Sequence, residues 1–138
     1  MYTILIADDD RQAVEVLRLR LSKAGYQVLV AHNGRDALAQ YQRGMPKVVL
    51  LDAAMPDLSG FEVCELIRAQ DHTRKCAIFI VSGASSPSPE YVTGCAHMSG
   101  CDGFVRKPYD SAQLLQMIRD HIETDPAREG KLCTSARS

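Results

Sequence analysis

Five short aliphatic runs, at Thr3–Ala7, Gln27–Ala31, Lys47–Leu51, Ala77–Val81 and Gly103–Arg106, alternate with stretches of helical spacing. Four of the runs are close to continuously apolar, which suits strands buried on both faces of a parallel sheet. Between them, Val14, Leu17, Leu21 and Ala24 recur at helical spacing and Gly25 follows as a stop. Asn33 is placed to cap a second helix that carries Ala37, Leu38 and Tyr41 and ends at Gly44. Val63, Leu66 and Ile67 mark a third helix, entered through Ser59-Gly60. A fourth begins at Ser88-Pro89, and Gly94 inside it costs about 1 kcal/mol relative to alanine, so it is the least stable of the set. Asp110-Ser111 opens the last, with Leu114, Leu115, Ile118 and Ile122 on one face. Five βα units predict an α/β fold: a five-stranded parallel sheet with right-handed crossovers, flanked by five helices.

The 138 residues amount to one domain, expected over residues 1–123. From Thr124 onward periodicity is lost, and residues 124–138 read as a disordered tail or linker stub. Lys plus Arg number 16 against 17 Asp plus Glu, a net charge of −1 that gives no electrostatic reason to expect nucleic acid or an anionic membrane as partner. No apolar run approaches the roughly 18 residues of a membrane span. The N-terminus reaches Asp8, Asp9 and Asp10 with no basic stretch before them, which argues against a signal or transit peptide. Five cysteines, odd in number and without a C-x-x-C pair, fit a reduced cytoplasmic chain with neither a disulfide framework nor a zinc site. His32, His72, His97 and His121 are dispersed and read as surface or packing residues.

An open parallel sheet binds ligands at the carboxyl ends of its strands. Here the first strand ends in Asp8-Asp9-Asp10, the third in Asp52, the fourth in Ser82, and the fifth runs into Lys107-Pro108. One aspartate, Asp10, suffices to cap the following helix. The others repel: two unit charges 4 Å apart cost about 4 kcal/mol at an effective dielectric near 20. A divalent cation removes that cost, and all-oxygen ligands suit Mg²⁺ rather than zinc or copper. Asp52, flanked by Ala53 and Ala54, is open to incoming reagents and could act as a nucleophile, whereas Asp57 beside Pro56 supplies turn chemistry. Lys107-Pro108 restricts the backbone and is a candidate cis peptide that would fix where the ammonium points.

Across roughly residues 1–123 this order of residues resembles the receiver domain of two-component response regulators. The resemblance is carried by Ile-Leu-Ile-Ala-Asp8-Asp9-Asp10, Leu-Leu-Asp52-Ala-Ala-Met-Pro56-Asp-Leu-Ser-Gly60, Val-Ser82-Gly, and Gly-Cys-Asp-Gly-Phe104-Val-Arg-Lys107-Pro108-Tyr. It implies the flavodoxin-like doubly wound sheet, strand order 2-1-3-4-5. It further implies a phosphorylation-activated switch in which Asp52 accepts a phosphoryl group from a histidine kinase or a histidine phosphotransfer protein. Asp9 would bind Mg²⁺ directly, Asp8 mainly through water, and Asp52 and the backbone carbonyl of Ala54 would complete the protein ligands, with Mn²⁺ as a substitute. Lys107 would pair with Asp52 before transfer and with a phosphoryl oxygen after it, and Ser82 would donate to another. Phe104 takes the aromatic switch position, turning inward when Ser82 moves and passing the change to the surface of the fourth helix, fifth strand and last helix. Such a domain catalyses only its own phosphorylation and dephosphorylation; its downstream protein target is not specified by the sequence. Phe104 lacks the hydroxyl of a tyrosine, and the span from Ser82 to Lys107 is longer than the compact family pattern, with the excess in Ser85–Pro89.

Two other readings compete. A haloacid-dehalogenase-like phosphatase would use the Asp-x-Asp of Asp8 and Asp10, with Asp8 as nucleophile, but it leaves Asp52 without a role and lacks an acidic strand end after Lys107. A receiver-like interaction module that takes no phosphate would keep the fold alone.

Overall fold

The computed structural model describes residues 2–70, 76–83 and 100–123. Its five strands are β1 (Thr3–Ala7), β2 (Gln27–Ala31), β3 (Val48–Asp52), β4 (Ala77–Ser82) and β5 (Gly103–Arg106). They form one parallel sheet in the order β2-β1-β3-β4-β5. The helices are α1 (Arg11–Lys23), α2 (Gly34–Gly44), α3 (Gly60–Gln70) and, after β5, α4 (Ser111–Glu123). The helix expected after Ser88 and the tail expected from Thr124 lie outside the described residues. Two strands run one residue further than their apolar runs: β3 ends on Asp52 and β4 on Ser82. Both polar side chains are therefore held by ladder geometry rather than by a loop.

Burial explains the sequence pattern. Every residue of β3 and β4 is buried, so both read as unbroken apolar runs. Leu5 and Ala7 of β1, Val49 and Leu51 of β3, and Ile78 and Ile80 of β4 share a core with Ala37 and Tyr41 of α2 and Val63, Cys64 and Ile67 of α3. The alternate strand residues Ile4, Ile6, Val48, Leu50 and Phe79 are buried outside that cluster, as are Val14, Leu17 and Leu21 of α1. The alternation of a strand sends these two sets to opposite faces, so both faces of the sheet are covered. Leu66 departs from the expected stripe: it is exposed, and Cys64 takes the buried position on α3.

Local signals set the helix ends. Asp10 accepts from the backbone N–H groups of Gln12 and Ala13 at 3.1 and 3.2 Å, as an N-cap should. Asn33 does the same for Asp36 at 2.8 Å. Ser59 and Glu62 bond reciprocally at the start of α3, at 2.9 and 3.1 Å, in a capping box. Gly25 follows α1 with φ +97°, a conformation that favours glycine. The end of α2 is less expected, because Met45 takes the left-handed conformation there at φ +48°.

At the amino ends of the strands, Arg68 of α3 ties β4 to β5. Its guanidinium donates to the carbonyls of Gly100 (2.8 Å) and Cys76 (2.7 Å) and to Asp102 Oδ2 (2.7 Å). Asp102 Oδ2 also accepts from Ile78 N at 2.8 Å, and Asp102 N donates to Ile78 O at 2.7 Å.

Contacts divide the chain into one unit ending at Pro108 and another beginning at Tyr109. In the second, Asp110 accepts from Ala112 N at 2.9 Å, and Leu114, Ile118 and Ile122 form the buried face of α4, with Leu115 half-buried. None of the helices among the described residues is long and apolar enough to cross a membrane.

Candidate functional site

The carboxyl ends of β1 and β3 lie side by side, because Ala7 pairs with Leu51 in the ladder. Asp8 and Asp52 continue those strands, and both are buried. Asp9 is exposed beside them. One carboxylate oxygen from each of Asp8, Asp9 and Asp52 falls within 4.8 Å of the others. Asp10, the fourth candidate acid, faces away into its capping role.

Lys107 reaches this cluster from the far side of the sheet. Its Nζ lies 3.0 Å from Asp8 Oδ2 and 3.6 Å from Asp52 Oδ2. Its backbone N–H donates to the carbonyl of Ser82 at 2.7 Å, and the Lys107-Pro108 peptide is cis, as the sequence suggested.

The two buried carboxyls are unequal. Burial pushes the Asp52 carboxyl up, and the adjacent Asp8 pushes it further, to about 7, despite the opposing pull of Lys107. Burial also acts on Asp8, but the Asp10 N–H at 3.0 Å, its hydrogen bond with Asp52 and the ammonium together hold it below the ordinary carboxylate range. Three convergent carboxylates with hard oxygen donors and too little positive charge fit a cation of the Mg²⁺ or Mn²⁺ type.

Ser82 ends β4 next to this cluster, two strands from β1. Its Oγ is fully buried and has no hydrogen-bond partner among the described residues, which is uncommon for a buried hydroxyl. Phe104 pairs with Ile80 in the ladder, is half-buried, and packs against the core shared with α3. Ala54 and Pro56 lie exposed in the connection after β3, and the Ala54 N–H donates to Asp52 Oδ1 at 3.3 Å. Gly60 closes that connection. A Cβ there would stand 2.4 Å from the Asp52 carbonyl oxygen, so only glycine lets α3 start this close to the strand end.

Two residues do more than their sequence context indicates. Asp57, read as a turn former, reaches across to α2, accepting from Gly34 N at 2.7 Å and Arg35 N at 2.9 Å. Those bonds hold its carboxyl down to about 2. His32, read as a packing residue, has Nδ1 3.3 Å from the backbone carbonyl of Asp8.

Comparison with known proteins agrees with this geometry. A family model described as the response regulator receiver domain matches residues 4–119. Response regulator MprA of Mycolicibacterium vanbaalenii is 38% identical over 116 residues, covering 84% of this chain and 48% of that protein. An uncharacterized transcriptional regulatory protein, YkoG of Bacillus subtilis, is 36% identical over 116 residues, with 84% and 49% covered. The chain thus spans about half the length of the curated relatives it matches. Among solved structures, a CheY-like receiver domain protein of Methanospirillum hungatei superposes with a TM-score of 0.82 at 25% identity, over 91% of this chain and 96% of that one. The chemotaxis protein CheY4 of Vibrio cholerae gives 0.78 at 29% identity, over 87% and 98%.

Proposed function

We propose, from the premise that this chain belongs to the response regulator receiver family, that it is a switch thrown by phosphorylation of Asp52. The observation that carries the proposal is the buried Asp52 carboxyl at the end of β3, grouped with Asp8 and Asp9 and 3.6 Å from the Lys107 ammonium.

In the proposed reaction an Asp52 carboxylate oxygen attacks phosphorus in line, and the O–P bond forms as the P–N bond to a donor histidine breaks. The donor belongs to a histidine kinase or a histidine phosphotransfer protein. Phosphoryl transfer needs chiefly positioning and charge compensation. Asp8, Asp9, Asp52 and the Ala54 carbonyl would hold Mg²⁺, whose charge offsets that of the attacking and transferred oxygens. Lys107 then leaves its carboxylates for a phosphoryl oxygen, and Ser82 offers its unpartnered hydroxyl to another. β3 and β4, paired in the sheet, bring Asp52 and Ser82 to the same edge.

The acyl phosphate biases a two-state element. Ser82 draws its loop toward the phosphoryl group, and Phe104, half-buried at rest, turns inward behind it. Residues of β5 and the elements beside it then present a changed surface to a protein target.

The test is intact-mass spectrometry after incubation with acetyl phosphate, with and without Mg²⁺, on wild type and Asp52→Asn. One phosphoryl adduct that requires Mg²⁺ and vanishes in the variant is expected. Failure to form the adduct and to bind beryllofluoride would leave a docking module. An adduct retained by Asp52→Asn and lost in Asp8→Asn would move the nucleophile to Asp8.

A further inference from the structure

The stretch between Asp52 and α3 is seven residues long and carries the Ala54 carbonyl. Its two ends are fixed by backbone contacts: Ala53 N donates to Val81 O at 2.7 Å, and Gly60 N donates to Ala53 O at 3.1 Å. Its middle is held differently. The two carboxylate oxygens of Asp57 accept separately from Gly34 N and Arg35 N, the first two N–H groups of α2, and one of them also accepts from Leu58 N at 2.7 Å. Those N–H groups have no partner within their own helix, so a carboxylate there satisfies two donors and complements the helix dipole. The approach is close as well: a Cβ on Gly34 would stand 2.6 Å from the Cβ of Leu58 and 3.2 Å from Asp57 Oδ1. Asn33 accepts from Asp36 N, so the start of α2 is satisfied by one residue from its own turn and one from the loop.

We propose that Asp57 is a positioning residue: by docking the loop after β3 onto the start of α2, it sets where the Ala54 carbonyl stands relative to Asp8, Asp9 and Asp52. The inference rests on the reading of Ala54 as a cation ligand given above. The logic is mechanical. The proposed cation ligands come from three places, the end of β1, the end of β3 and the loop after β3. α2 packs against β1 and β2, so Asp57 ties the loop to an element already seated on the strand that leads into Asp8 and Asp9. Groups that orient metal ligands without touching the metal typically govern affinity by factors of ten or more.

The test measures Mg²⁺ affinity by isothermal titration calorimetry on the full chain, with acetyl phosphate kinetics in parallel. Asp57→Ala is expected to weaken Mg²⁺ binding several-fold, because the loop that carries the Ala54 carbonyl loses its contact with α2. It should also raise the Mg²⁺ concentration needed for half-maximal phosphorylation, with the rate at saturating Mg²⁺ changed less. Asp57→Asn, which keeps one of the two acceptor oxygens, should fall between wild type and Asp57→Ala and serves if the alanine variant does not fold. Leu17→Val, a core change on α1, should lower stability and leave Mg²⁺ affinity unchanged. Wild-type Mg²⁺ affinity in Asp57→Ala and Asp57→Asn would overturn the positioning role while leaving the receiver reading intact. Absence of Mg²⁺ binding by wild type itself would overturn that reading, and the positioning role with it.

Discussion

Lys107 Nζ lies 3.0 Å from Asp8 Oδ2 and so joins the end of β5 to the end of β1 across the two strands between them. Asp52, on one of those intervening strands, receives the weaker share of the ammonium at 3.6 Å. Burial pushes both carboxyls up; Asp8 adds to the rise at Asp52, while the Asp10 N–H, the hydrogen bond with Asp52 and the nearer ammonium bring Asp8 back down.

The division makes stability depend on pH. Folded Asp52 keeps its proton up to about 7, whereas its ordinary value is 3.8, so through that window the folded state binds more protons and loses stability as pH rises. Asp52→Asn should therefore gain on wild type as pH rises, by about 1–3 kcal/mol between pH 5 and pH 8 without divalent cations. Urea unfolding at the two pH values checks this, and saturating Mg²⁺ should shrink the difference. An equal effect at both would show that Asp52 is ionised throughout.

Ser82→Ala should not harm the resting fold. The Ser82 Oγ is buried without a partner among the described residues, and removing an unsatisfied hydroxyl stabilises by about 1 kcal/mol. The same change should weaken beryllofluoride binding several-fold, because the proposed phosphoryl contact is gone. Thermal melts with and without the analogue separate the two effects, which have opposite signs.

Gly60→Ala should be among the costliest single-methyl additions in the chain. The new Cβ would sit 2.4 Å from the Asp52 carbonyl oxygen and 3.0 Å from its carbon, both backbone atoms that cannot swing aside. A loss of about 2–3 kcal/mol in urea unfolding is expected, together with slower phosphorylation as the end of β3 is displaced.

The paired strands were legible because burial on both faces leaves a plain mark. The strand ends were legible for a second reason: an open parallel sheet presents its chemistry there, so Asp8, Asp52, Ser82 and Lys107 could be gathered before any coordinates. What escaped was contact between distant segments. The turn beside Pro56 gave Asp57 a sufficient local explanation, and its partners lie 22 and 23 residues away. The clue available was Asn33-Gly34, a helix start with more orphan N–H groups than one cap can serve. Leu66 was misplaced because one helix turn offers Cys64 and Leu66 as rival neighbours of Val63 and Ile67, and periodicity does not rank them. Arg68 and Asp102, 34 residues apart, left no local mark at all.

Arg68→Met should cost about 2 kcal/mol, since it removes the donor from two part-buried carbonyls and from a carboxylate that also serves Ile78 N. Arg68→Lys should recover little of it, because a single ammonium does not reproduce a three-way planar fork. Chemical denaturation of both variants, with wild type alongside, is the check. Near-complete rescue by lysine would show that charge alone matters there.

The close approach of Gly34 to Leu58 also bears on how such a domain can be altered by recombination. Residues 33–35 and 53–59 are separate in the chain, yet they meet closely: the loop brings the acid, and the helix start brings the missing side chain that admits it. A chimera that imports the loop into a relative with a bulkier residue at the helix start inherits a clash at 2.6 Å. One that imports both pieces inherits a matched pair. The unit of exchange around Asp52 is thus two short segments travelling together.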